Sequence, residues 1–254
     1  MNDAELTLRL RTNLVAFKRL QVARGHLAHG TWPGVDAFAL AARPRDLNLQ
    51  QAIYADAGAL ADALPGLESF YRDLGVPAWR VLAPEGDRAG RVLTQAGYRA
   101  EGALPAMGLA FDDLPRVFEL TPGVPLSELE QMDDVAALNV AAYGIEWADV
   151  LGAWHGPPPP DMQVLAAHEG GRAIACGVAL DVGDTMGVYL VATAPAVRKR
   201  GLGTAVMRGL LAAARRRGLA ASVLQATDDG FGLYRRLGYR DLGIWTHWVR
   251  RRAA

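Results

Sequence analysis

Apolar positions along the chain follow two spacings, one helical and one strand-like. Residues 4–22 place Leu6, Leu10, Leu14, Phe17 and Val22 at helical intervals among charged residues, which predicts a helix. The turn Trp32-Pro33-Gly34 follows, then a strand from Val35 to Ala42 and a weaker one from Leu47 to Ala55. Asp56 stands where it would cap a helix running to about Leu74 and ended by Gly75. A short strand over Trp79 to Ala83 and a helix over Ala89 to Ala96, stopped by Gly97, come next. Residues 98–111 read as one or two strands broken by Gly102 and Pro105.

The stretch 111–125 holds Pro115, Pro122, Gly123 and Pro125 and is the best domain boundary, giving halves 1–115 and 116–254. Val117-Phe118-Glu119-Leu120 is a candidate first strand of the second half, and 127–143 have helical spacing. Gly156 and the run Pro157 to Pro160 form an exposed loop, because proline continues neither helix nor sheet pairing. Strands are predicted over Gln163 to Ala167, Ala173 to Val182 and Met186 to Thr193, with Gly183-Asp184 as a hairpin turn. A helix over Gly201 to Arg217 ends at Gly218. Then come a strand over Ala221 to Ala226, a short helix over Gly230 to Leu237 and a last strand over Tyr239 to Arg250. Antiparallel strands feeding a strand–helix–strand unit predict an α/β (α+β) fold, a mixed, mostly antiparallel sheet flanked by helices.

The halves echo each other. Residues 75–98 run from Gly75 through a strand, an acidic turn and a helix to Gly97-Tyr98, and residues 218–239 do the same from Gly218 to Gly238-Tyr239. The order of elements on either side makes domain duplication the better reading than chance.

The chain has 254 residues, enough for two domains, with 51% apolar and 21% charged residues. Lys plus Arg equals Asp plus Glu at 27 each, so net charge argues for neither nucleic acid nor an anionic membrane, and any anion site must be local. The single cysteine, Cys176, excludes an intrachain disulfide and a four-thiolate metal site. No His, Cys and carboxylate cluster has metal-ligand spacing, so no metal is expected. No stretch approaches the ~18 uninterrupted apolar residues of a membrane span. Acidic and basic residues within the first turns do not suit a signal peptide. A soluble, cytoplasmic protein is expected.

Local clustering appears at Arg198-Lys199-Arg200, directly before the helix at Gly201. Cations at a helix N-terminus oppose the macrodipole at about 0.3–1 kcal/mol each, so stability alone would put acids there. Gly201 and Gly203 remove side chains where free amides point outward. Together these features describe a phosphate site; the alternative is a solvated basic turn with glycines for packing. A P-loop is excluded because Thr204-Ala205 follows Gly203 without lysine, and a dinucleotide fingerprint because Val206 holds the place of its third glycine.

The spacing Arg-x-x-Gly-x-Gly, as Arg198, Gly201 and Gly203, resembles the coenzyme A loop of the GNAT superfamily of N-acetyltransferases. Pro195 before it, the strand Tyr189 to Thr193, and the segment Leu224 to Thr227 through Leu233 to Tyr239 resemble the family's neighbouring elements in order and spacing. The resemblance covers about residues 116–250. It implies acetyl-CoA as co-substrate, with backbone groups of Val191 and Thr193 on the pantetheine arm. Amides of Lys199, Gly201, Gly203 and Thr204, with the Arg198 side chain, would hold the pyrophosphate. It further implies two splayed strands and a backbone N–H of the central strand that steadies an oxyanion. Tyr234 sits where the family often places its general acid; the alternative is a tyrosine that fills space beside the cofactor. Glu146 is the candidate general base, with Asp149 and His155 as alternatives, each also readable as a solvated surface charge. Trp147 and Trp154 would line an acceptor pocket or sit in the core. Cys176 reads as a buried small residue, not a nucleophile.

The first half lacks these features. Where the loop is expected it reads Ala55-Asp56-Ala57-Gly58-Ala59, with an acid where phosphates would lie, and Leu93 falls opposite Tyr234. The resemblance therefore implies a tandem arrangement with a degenerate N-terminal GNAT-like domain. The leading function is transfer of an acetyl group to a primary amine on a small molecule or peptide. The competing reading is a non-catalytic acyl-CoA-binding or sensing module. Nucleic-acid binding through Arg215-Arg216-Arg217 or Arg250-Arg251-Arg252 is weak, since the first run closes a helix and the second is a charged tail. The assembly state is open, a homodimer included.

Overall fold

The computed structural model describes residues 1–114, 123–144, 148 and 151–252. The fold is mixed α/β and divides into two compact units. The N-terminal unit comprises Leu14–Ala106 and Gly243–Ala254, and the C-terminal unit comprises Met1–Asn13 and Met107–Leu242. Neither is the half 1–115 or 116–254. The division runs inside the first helix, α1 (Asp3–Ala23), and inside two long strands, β5 (Arg99–Ala110) and β11 (Arg240–Arg251). Strand pairing decides which segments form one core.

In the N-terminal unit β1 (Ala28–Trp32), β2 (Val35–Ala39) and β3 (Gln51–Tyr54) pair antiparallel. Helix α2 (Ala57–Asp73) crosses to β4 (Ala78–Pro84), which lies parallel to β3, and β11 pairs antiparallel with β4. α2 turns Leu60, Ala63, Leu67 and Tyr71 inward. Helix α3 (Ala89–Gln95) adds Ala89 and Leu93. Tyr71 stacks on Trp79 at 4.8 Å, and Trp79 Nε1 donates to the Tyr98 hydroxyl at 2.8 Å. The buried indole N–H thus has the partner it needs.

The C-terminal unit has the strand order β5-β10-β9-β8-β7-β6, with β6 (Leu126–Glu128), β7 (Met162–Glu169), β8 (Arg172–Val182), β9 (Thr185–Thr193) and β10 (Ala221–Gln225). β6 to β9 are antiparallel. Helix α5 (Leu202–Arg216) then carries the chain to β10, which runs parallel to β9. That pairing covers only Ala221–Val223 against Thr185–Gly187, and beyond it the two strands part. Helix α4 (Met132–Tyr143) contacts β8 and β9, and α6 (Asp228–Arg236) follows β10. Asn13 of α1 is fully buried; its Nδ2 donates to the Leu180 and Thr185 carbonyls, and its Oδ1 accepts from Tyr189. Gly187 makes room for it, since a Cβ there would lie 1.9 Å from that oxygen.

One irregularity in β9 positions the site. The β8–β9 register shifts between Cys176 and Val178, so Gly177 faces an extra residue on β9. Leu190 takes φ +51 at this bulge. A left-handed conformation costs a side-chain-bearing residue about 1–2 kcal/mol, so neighbouring contacts must hold it.

The two segments that echo each other in sequence, 75–98 and 218–239, make the same backbone hydrogen bond at their ends. The Tyr98 amide donates to the Leu93 carbonyl at 2.9 Å, and the Tyr239 amide to the Tyr234 carbonyl at 3.1 Å. Each tyrosine hydroxyl then bonds the preceding strand, through Trp79 or Ser222. Several boundaries differ from expectation. Ala28–Trp32 is a strand, although with Gly30 between Ala28 and Trp32 its apolar spacing does not reveal it. Residues 47–50 form turns, and the strand starts at Gln51. Residues 126–128 pair with β7 as strand β6, so α4 begins only at Met132. Residues 99–110 are one strand despite Gly102 and Pro105. The strand expected over 117–120 lies outside the described residues.

Candidate functional site

The C-terminal ends of the parted strands open a cleft of about 520 Å³. Val191, Ala192 and Thr193 of β9 form one side, the 198–204 loop and start of α5 the floor, and Thr227 to Tyr234 the other side, with Tyr143 at the rim. The sequence-predicted residues Val191, Thr193, Arg198, Lys199, Gly201, Gly203, Thr204 and Tyr234 all line this one cleft.

The floor suits an anion. Lys199 has φ +63, and Gly201 has φ +80 as the N-terminal cap residue of α5. No side chain caps this helix, and its first described backbone bond runs from the Ala205 amide to the Gly201 carbonyl. The opening amides are therefore left without a capping side chain at the positive end of the helix. Gly203 brings backbone close to the cleft wall: a Cβ there would meet Leu233 Cδ1 at 3.3 Å and Thr193 Oγ1 at 3.6 Å. The corresponding helix of the N-terminal unit, α2, is closed to an anion. Asp56 accepts from the Gly58 and Ala59 amides at 2.8 and 3.0 Å.

The cations divide their work. Arg198 lines the cleft. Its Nη2 donates to the Ala142 carbonyl at the end of α4 at 2.7 Å, and its Nε to the Thr193 carbonyl at 3.4 Å. Arg200 pairs with Glu169 at 2.9 Å. The Arg200–Glu169 ion pair is exposed, and exposed ion pairs are worth little.

Tyr234 is 8% exposed and packs edge-to-face on Tyr239. Burial, then the neighbouring Tyr143, raises its phenol well above the ordinary range. The phenol is thus a donor throughout neutral and mildly alkaline pH. Tyr143, which is not among the sequence-predicted residues, donates its hydroxyl to the Val191 carbonyl at 2.6 Å. The carbonyls of Val191 and Thr193 are therefore already engaged, by Tyr143 and Arg198. Asp229 is the one carboxylate among the described residues lining the cleft, and it sits in the first turn of α6, where an acid also steadies the helix.

Of the base candidates, Glu146 and Asp149 lie outside the described residues, as does Trp147. His155 is exposed and does not line the cleft. Trp154 is 1% exposed and belongs to the core. Cys176 is buried beneath the bulge, and burial pushes its thiol up to about 12. Such a group is no nucleophile at neutral pH. Among the described residues no group of three or more His, Cys, Asp or Glu could hold a metal ion, and no helix is long and apolar enough to cross a membrane.

Residues 127–239 match the model of the acetyltransferase (GNAT) family. No curated protein matches the sequence. Among solved structures, a GCN5-related N-acetyltransferase from Kribbella flavida is similar at 18% identity and TM-score 0.68, covering 94% of this chain and 95% of that one. A GCN5-related N-acetyltransferase from Sphaerobacter thermophilus is similar at 15% identity and TM-score 0.60, over 87% and 78%. A tandem GNAT protein from the clavulanic acid biosynthesis pathway is similar at 10% identity and TM-score 0.63, over 87% and 79%. Residues 127–239 thus match the acetyltransferase (GNAT) family, and the chain shares the fold of these structures over 87–94% of its length.

Proposed function

We propose that this GNAT domain binds acetyl-CoA in the cleft and transfers its acetyl group to a primary amine, on a small molecule or a peptide, by direct attack in a ternary complex. The observation that carries the reading is the uncapped start of α5, with left-handed Gly201 and bare Gly203 beside parted strands. Amides of Lys199, Gly201, Gly203 and Thr204 would hold the pyrophosphate, with Lys199 supplying charge. Arg198 supports them indirectly, by tying the loop to the end of α4. Backbone of β9 from Val191 to Thr193 would run beside the pantetheine arm, and a strand N–H would face the oxyanion.

When bound, the co-substrate supplies an activated acyl group and a thiol leaving group. An ordinary tyrosine near 10 already exceeds a thiol near 8.5, and burial widens the gap at Tyr234. Full proton transfer from this phenol is therefore uphill. Its role at the departing sulfur is to donate a hydrogen bond, which lowers the barrier without giving up the proton. Glu146 is our proposed base for the incoming amine.

The N-terminal unit is proposed to be a degenerate relative that holds no CoA at α2, because Asp56 fills the place an anion would take. One cofactor per chain follows. Calorimetric titration with CoA tests the first claim: a stoichiometry near one supports it, and no binding at millimolar CoA refutes it. Thiol release from acetyl-CoA across a panel of amines separates transfer from binding alone, since a sensing module releases none.

A further inference from the structure

The bulge in β9 is held from one side by helix α4. Asn139 is 1% exposed, and its Nδ2 donates to the Leu190 carbonyl at 3.1 Å and to the Val135 carbonyl of its own helix at 2.9 Å. The Cys176 thiol also points at the Leu190 carbonyl, at 3.6 Å. One turn along α4, the Tyr143 hydroxyl donates to the next carbonyl, that of Val191. Positions 139 and 143 share a face of the helix. In an unbroken strand successive carbonyls point toward opposite neighbouring strands. Here two in a row turn to one helix, at the bulge where Leu190 takes a positive φ.

Val191 to Thr193 form a wall of the cleft, so whatever fixes the bulge fixes that wall. We propose that Asn139 is a positioning residue for acetyl transfer: by gripping the Leu190 carbonyl it sets the β9 backbone against which the acyl end of the co-substrate lies. Tyr143 provides the second grip. This rests on the acetyl-transfer reading above. It also divides the site, because the phosphate-holding amides belong to α5 and do not depend on Asn139. Leucine at 139 keeps the volume and removes both donors, leaving the part-buried Leu190 carbonyl to the weak thiol alone.

The test uses the full-length protein, wild type and Asn139→Leu. Amide exchange across residues 189–192 reads the bulge, CoA titration reads the phosphate grip, and acetyl transfer to the best amine of the panel reads positioning. The expected result is faster exchange confined to that segment, CoA affinity within about threefold, and kcat lower by about tenfold or more, as a small misplacement of reacting groups produces. Unchanged exchange overturns the grip. Unchanged kcat, or kcat and affinity falling together with the melting temperature, overturns the positioning role and leaves Asn139 purely structural. If Asn139→Leu does not fold, Asn139→Asp serves. A carboxylate facing two carbonyls cannot donate, whereas its protonated form can, so kcat relative to wild type should rise as pH falls. A wild-type kcat for this variant at pH 8 overturns the proposal. Wild-type protein that fails to bind CoA overturns the acetyl-transfer reading and the positioning role with it. CoA binding with an unaffected variant overturns the positioning role alone.

Discussion

Replacing Gly203 by alanine should separate stability from binding, and the geometry gives both signs. Gly203 is the second residue of α5, so alanine gains helix propensity of at most about 0.5–1 kcal/mol. The new methyl would stand 3.3 Å from Leu233 Cδ1, the tip of a flexible side chain, and 3.6 Å from Thr193 Oγ1. Both contacts relax at little cost, so the melting temperature should hold or rise by about 1–3 °C. The same methyl projects into the cleft where the α5 amides would meet a pyrophosphate. Loss of one charge-assisted amide–phosphate bond is worth about 1.5–3 kcal/mol, so Kd for CoA should rise roughly 10- to 150-fold. Gly201→Ala is the control with the opposite pattern. Its methyl meets nothing within 4 Å, but φ is +80, so it should cost about 1–2 kcal/mol of stability. Calorimetric titration with CoA and thermal melts of the free proteins measure all four quantities. A Gly203→Ala protein that melts normally and binds CoA within about twofold of wild type refutes the phosphate-grip reasoning.

Tyr234→Phe should lower kcat by about ten- to a hundredfold with CoA affinity unchanged; equal kcat removes the tyrosine from the chemistry. Cys176, buried and with its thiol pushed up to about 12, should resist iodoacetamide at pH 8 until denaturant is added, and mass spectrometry reads the adduct. Asp56→Ala should destabilise the protein by about 1 kcal/mol through lost capping, visible as a lower denaturant midpoint. Lys18 is 9% exposed, and burial, then Arg80, lowers its ammonium to about 7. Between 7 and 10.5 the unfolded chain binds more protons, so wild-type stability should rise with pH across that window. Lys18→Met should flatten the rise and stabilise the protein by about 1–3 kcal/mol at pH 7; an unchanged urea midpoint at pH 7 and pH 9 excludes this account.

The cleft was legible because its constraints are local. Arg198 to Thr204 are seven consecutive residues, and no packing partner is needed to see bare amides behind cations. The destination of a long side chain is not local. Arg198 has five donors and a flexible stem, and the carbonyl it takes, that of Ala142, lies on another helix. Asn139 and Tyr143 were overlooked for the same reason: on α4 they fall among apolar positions, and their partners are backbone carbonyls that only the β9 bulge exposes. Short strands failed differently. Three residues of β6 carry too few side chains to show a period of two, and Ala-His-Gly-Thr-Trp of β1 offers only Ala28 and Trp32 as apolar side chains, with Gly30 between them on their face. The unit boundaries were illegible in principle, since no run of residues announces that β11 will pair with β4.

That pairing bears on how the protein is made. β11 is translated after every other described element, yet Trp245 to Arg251 complete the sheet of the N-terminal unit by lining up along β4. Until they leave the ribosome, β4 is an open edge with Trp79, Val81 and Ala83 in its sequence, the kind of edge that recruits stray strands. The nascent chain must therefore wait with one unit unfinished, at the usual elongation rate of about 5–20 residues per second. A neighbouring nascent chain could offer its own β11 in that interval, and the product would be an exchanged dimer. Slowing translation, or withdrawing chaperones that mask strand edges, should raise the yield of that species.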